Sequence, residues 1–137
     1  MKNNCTKALS LSALFLLLPF VTAFSSDTAD ISIKGEWRGT VVEDGRSYSL
    51  SMNIERLELG AYAGTTTYSD SLNCGGLLTL ERRKSCIYVF KEVISKGSDC
   101  ASGGRIEVWR TEDGYLQWEW YRPGEWNPEA TSILSQR

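Results

Sequence analysis

The chain has 137 residues, with 15 basic and 17 acidic side chains, a formal net charge of −2 and no histidine. A mildly acidic chain without a basic run argues against nucleic acid or anionic lipid as a partner. The absence of histidine removes the commonest general base and the commonest transition-metal ligand together. No GxSxG elbow, HExxH, P-loop or dinucleotide fingerprint occurs either, so the sequence reads against an enzyme and implies no cofactor and no metal.

Residues 1–23 have the layout of a secretory signal peptide: Lys2 and Lys7 in a positive n-region, an apolar run from Leu9 to Phe20 broken by Pro19, and Val21-Thr22-Ala23 as a small-residue cleavage site. Cleavage is expected after Ala23, with Ser25 as the second choice. The apolar run is shorter than the roughly 20 residues a hydrocarbon core needs, so no stable membrane insertion is expected once the leader is gone. The mature protein is then periplasmic or secreted. Cys5 leaves with the leader, and losing two lysines and no carboxylate moves the formal charge from −2 to −4. About 114 residues remain, enough for one small domain. Residues 24–32 read as a loose N-terminal lead and residues 33–137 as a single β-barrel domain.

From Gly35 onward, β-branched and aromatic runs alternate with Gly, Asp, Asn and Ser, and no window sustains a 3.6-residue apolar repeat. Trp37–Glu43 is the first strand, and Asp44-Gly45 suits a tight hairpin. Tyr48, Leu50, Met52 and Ile54 alternate with serines and Asn53, as in a half-buried strand. Strands follow at Ala61–Tyr68, Cys74–Glu81, Cys86–Ile94, Gly104–Arg110, Tyr115–Tyr121 and Ala130–Gln136. Arg82–Ser85 reads as a basic turn, Ser95–Gly103 as a Gly/Ser-rich loop, and Arg122–Glu129 as a longer loop. Eight sequential antiparallel strands satisfy every edge by closing on themselves, so the expected fold is all-β, a small eight-stranded meander barrel, with a two-sheet sandwich as the alternative.

Cys74, Cys86 and Cys100 stay in the mature chain, and an oxidising compartment favours pairing two of them. Three thiols allow three pairings, and spacing leaves the choice open. Without histidine or a CxxC pair they do not complete a zinc site.

The landmarks resemble a known family. Gly35-Glu36-Trp37-Arg38-Gly39-Thr40 looks like its opening strand (GxWxGT), and Leu72-Asn73-Cys74-Gly75-Gly76-Leu77-Leu78 like its central CGGLL motif. Phe90, Glu92, Ile94, Gly97 and Cys100 follow in the pattern FxExIxxGxxC. The family consists of small secreted bacterial β-domains that also occur as the extracytoplasmic domain of some bacterial serine/threonine kinases. The resemblance implies a Cys74–Cys100 disulfide and a sensory or binding role. It leaves Cys86 as a free thiol or an intermolecular link that would join two copies. The GxWxGT opening is also distantly similar to the first strand of avidin and lipocalin barrels.

Trp118 and Trp120 share a strand face with Leu116 and read as core. Trp126, inside Pro-Gly-Glu-Trp-Asn-Pro, is harder to bury; with Tyr121 it is the expected ligand contact. Glu92 interrupts an apolar strand and is expected to be a buried carboxylate, with Arg105 or Arg110 as a partner on the adjacent strand. The resulting reading is a non-catalytic binding module for a cell-envelope glycan, a small ligand or a secreted protein. The alternatives are a periplasmic inhibitor or immunity protein against a secreted lysozyme, amidase or protease, and a small hydrolase using acidic residues such as Glu92, Glu107, Glu119 and Glu125.

Overall fold

The computed structural model describes residues 32–137. The expected leader, its cleavage site and residues 24–31 of the expected lead lie outside the described residues. Eight strands run in order: β1 (Gly35–Glu43), β2 (Arg46–Ile54), β3 (Tyr62–Asp70), β4 (Cys74–Lys84), β5 (Ile87–Lys96), β6 (Arg105–Arg110), β7 (Leu116–Tyr121) and β8 (Ala130–Gln136). Each pairs antiparallel with the next, and β8 returns to β1 through Trp37 opposite Gln136 and Arg38 opposite Ser135. The sheet is thus a closed barrel, and the sandwich alternative falls because no edge is left between two layers.

Local chemistry explains the connections. Asp44 and Gly45 both have positive φ, 48° and 76°, as a type I′ turn requires, so β1 folds straight back on β2 over nine residue pairs. The basic stretch expected to turn at Arg82–Ser85 instead extends β4 to Lys84. The reversal falls on Ser85-Cys86, with Ser85 at φ 55°. Register shifts at Tyr62/Gly64, Leu80/Arg82 and opposite Gly75/Gly76 mark β-bulges in β3, β4 and β5, the kind of irregularity that increases strand twist and lets a small sheet close.

Alternation along the strands sends Trp37, Leu50, Met52, Leu78, Phe90, Ile106, Val108, Leu116, Trp118 and Leu134 into the interior, where all are buried. Thr66, Glu92 and Ser132 are the buried polar or charged side chains among the described residues. The two barrel ends differ. At one end Ile33 is buried, its carbonyl accepts from Trp37 Nε1 at 2.8 Å, and the Arg110 guanidinium lies 5.2 Å from the Trp37 ring. Arg110 also donates to the Ser32 carbonyl at 3.2 Å, so Ser32, expected in the loose lead, is tied to the barrel. This end is plugged. The opposite end carries the β1–β2, β3–β4, β5–β6 and β7–β8 connections and is open. Among the described residues there is no helix long and apolar enough to cross a membrane.

Candidate functional site

The open end contains a cavity of about 260 Å³. Its walls are aromatic: Tyr48 from β2, Tyr68 from β3, and Trp118 and Trp120 from β7. All four point inward by strand alternation. The Tyr68 ring lies 6.0 Å edge-on to Tyr48 and 6.5 Å from Trp118. Leu72, Cys100 and Ala101 also line the cavity, and its charged lining side chains are Glu43, Asp44, Asp99 and Glu129 with Arg46 and Arg122. Arg122 forms a two-pronged pair with Glu129, at 2.6 and 3.1 Å.

Glu92 lines the same cavity while being only 1% exposed. Its Oε1 accepts from Thr66 Oγ1 and, at 2.7 Å, from the Tyr68 hydroxyl; its Oε2 accepts from Trp120 Nε1 at 3.1 Å. Two glycines make room for this cluster. A Cβ at Gly104 would sit 2.4 Å from the Trp120 indole, and one at Gly76 2.7 Å from Glu92 Cγ. Backbone bonds between Glu92 and the Gly103-Gly104 pair, both 2.9 Å, then fix the β5 carboxylate beside the loop.

Burial pushes the Glu92 carboxyl above its ordinary value, and the donors from Thr66, Tyr68 and Trp120 pull the other way. Burial and the neighbouring Glu92 charge drive the Tyr68 hydroxyl well up. The linkage has a defined sign. Above pH 4.5 the unfolded carboxyl ionises more readily than the folded one, so this group's contribution to stability falls as pH rises through its raised native pKa. Glu36 and Glu129, held low by Arg38 and Arg122, act in the opposite direction. The expected result is therefore a difference: urea midpoints of wild type minus Glu92→Gln decline as pH rises above about 4.5 and level off once the folded carboxyl is fully ionised. A flat difference would mean that Glu92 titrates in the folded state as it does in the unfolded chain.

The mouth is stapled by a disulfide between Cys74 and Cys100, with Cα atoms 6.2 Å apart. It joins the start of β4 to the β5–β6 loop and thereby holds Asp99 and Ala101 at the cavity. None of the described cysteines is free. Cys86, expected as a free thiol or an intermolecular link, is not free in this structure.

The other expected site residues separate. Trp126, 88% exposed, stands in the β7–β8 loop between Arg122 and Glu129, both of which line the cavity. Tyr121 does not line the cavity. Because Trp120 faces inward, Tyr121 faces out; it is 2% exposed, bonds Glu119 through its hydroxyl and lies under the Arg105 guanidinium at 4.2 Å. Neither arginine expected for Glu92 reaches it. Arg105 sits opposite Lys91, on the outer face, paired with Glu107 at 3.1 Å, and Arg110 is at the plugged end.

Sequence reasoning missed Tyr48, Tyr68 and Thr66 as site residues and assigned Trp118 and Trp120 to packing alone. The two tryptophans are buried as expected, but they also form a cavity wall. The Trp118 indole N–H, fully buried, has no hydrogen-bond acceptor. Among the described residues no group of three or more His, Cys, Asp or Glu side chains could hold a metal ion. No family model, curated protein or solved structure matches the chain.

Proposed function

We propose that this protein is a non-catalytic binding module acting in the periplasm or outside the cell, and that its open barrel end holds a small hydroxyl-rich ligand such as the exposed end of an envelope glycan. The observation that carries the reading is an aromatic cavity, walled by Tyr48, Tyr68, Trp118 and Trp120, that also presents a buried carboxylate. Aromatic walls with a few convergent polar groups are the usual composition of small-ligand sites, and a 260 Å³ space suits one sugar ring rather than a long lipid. The disulfide agrees with an oxidising compartment. The likeness to small secreted bacterial β-domains points the same way.

The test is co-sedimentation with insoluble peptidoglycan that has been partly de-N-acetylated. Wild type is expected to pellet, and Ala101→Trp, which fills the cavity from an exposed lining position, is expected to stay in the supernatant with its melting temperature unchanged. Trp126→Ala should weaken pelleting about tenfold without loss of stability, because the side chain is solvated and its loss opens no hole. Equal pelleting of Ala101→Trp and wild type would remove the cavity from the account.

The exposed Trp126 supports a second reading, an inhibitor that inserts this loop into a secreted enzyme. Stoichiometric suppression of a lysozyme or amidase, lost in Trp126→Ala and kept in Ala101→Trp, would favour it.

A further inference from the structure

We propose that the head group taken by the barrel mouth is an ammonium on a hydroxylated frame, as in a free amino sugar or small amino alcohol, and that acidic sugars are rejected. The inference rests on the mouth being a ligand site and specifies the chemistry of its occupant.

Three separate features of the cavity demand different parts of this ligand. The first is the acceptor capacity of Glu92. A carboxylate offers about four lone-pair directions. Oε1 takes two donors, Thr66 and Tyr68, whereas Oε2 takes only Trp120, so one position on the cavity-lining carboxylate is open to a donor from a ligand. A cationic donor is favoured over a neutral one there, because a charge buried in a low-dielectric site gains most from an opposite charge.

The second feature is the charge of the lining. Five carboxylates, Glu43, Asp44, Glu92, Asp99 and Glu129, face two guanidinium groups, and one of those, Arg122, is already committed to Glu129. The mouth attracts cations and repels anions. Aromatic faces from two tyrosines and two tryptophans add cation–π attraction once the ammonium is inside.

The third feature prevents the ligand from being a bare alkylammonium. The Arg46 guanidinium lining the mouth only donates, and an ammonium has no acceptor to offer it. A hydroxyl on the same frame supplies one. One pyranose-sized frame bearing both groups fits the volume available.

The experiment uses three pyranose probes: glucose, glucosamine with an ammonium at C2, and glucuronate with a carboxylate at C6. The ¹⁵N-labelled mature protein is titrated with each, following the Trp118 and Trp120 indole signals. Glucosamine is expected to bind at least tenfold more tightly than glucose, and glucuronate more weakly than glucose. Glu92→Gln should lower glucosamine affinity to that of glucose. Asp99→Asn, an exposed substitution that leaves the buried cluster intact, should weaken glucosamine severalfold with glucose unchanged, and serves if Glu92→Gln does not fold. Glucose binding as tightly as glucosamine would overturn the inference while leaving the mouth as a sugar site. No response at Trp118 to any of the three would overturn it as well, and the pelleting of wild type against Ala101→Trp then decides separately whether the mouth is a site.

Discussion

Replacing Glu92 with Leu is expected to destabilise the protein by about 3–5 kcal/mol, although it exchanges a buried charge for an apolar side chain of similar size. The carboxylate is the shared acceptor for three donors, the hydroxyls of Thr66 and Tyr68 and the indole N–H of Trp120, all three buried. Removing it leaves each without a partner, at roughly 1–3 kcal/mol apiece, partly offset by relief of the carboxylate's own desolvation. For a domain of this size the melting temperature should fall by on the order of 15 °C. Glu92→Gln should cost less, about 1–2 kcal/mol, because its amide oxygen still accepts from Thr66 and Tyr68 while its NH₂ opposes the Trp120 donor. Thermal unfolding of the three proteins checks the order wild type, Gln, Leu. If Leu were as stable as wild type, the cluster would not be a unit.

The double substitution Cys74→Ala, Cys100→Ala has the second large effect expected. Closing a loop over a sequence separation of 26 residues restricts the unfolded chain by about 3.5 kcal/mol on the chain-entropy model, a large share of the 5–15 kcal/mol that holds a domain together. The structural consequence is local. Cys100 anchors the β5–β6 loop, so amide exchange in residues 97–104 should accelerate, while Trp37 and its neighbours at the plugged end keep their protection beyond the global loss. Uniform acceleration over both ends would mean that the disulfide does not act on the mouth in particular.

These two expectations show which parts of the molecule were legible in the sequence. The strands were, because a two-residue alternation as regular as Tyr48, Leu50, Met52, Ile54 leaves little choice of face, and Asp44-Gly45 dictates its turn. Closure was expected from strand count, but the bond between first and last strands consists of two residue pairs that no local pattern announces. Glu92 betrayed itself as a charge within an apolar run. Its partners did not, since they come from β3 and β7, 24 to 28 residues away. The arginine expectation failed on register: Arg105 is opposite Lys91, one position from Glu92, and one position reverses the face.

Tyr121 failed for the same reason and could have been read correctly. If Trp118 and Trp120 face inward, Tyr121 faces outward, whatever its proximity to Trp126 in sequence. The cavity itself was beyond reach. Alternation says that Trp118 points into the barrel but not whether the space before it is filled, which depends on how Tyr48, Tyr68 and the stapled loop meet across four strands.

The most direct test of the central claim, that the open barrel end is where the ligand enters, is an indole ¹H–¹⁵N spectrum of the protein titrated with soluble de-N-acetylated peptidoglycan fragments, whose sugars carry free amino groups. The five tryptophans sample different surroundings, and Trp37, in the plug at the far end, is the internal control. The account predicts saturable shifts of Trp118 and Trp120, whose rings line the mouth, and a stationary Trp37. Shifts confined to Trp126, or no shift at Trp118 at saturating fragment, would contradict it.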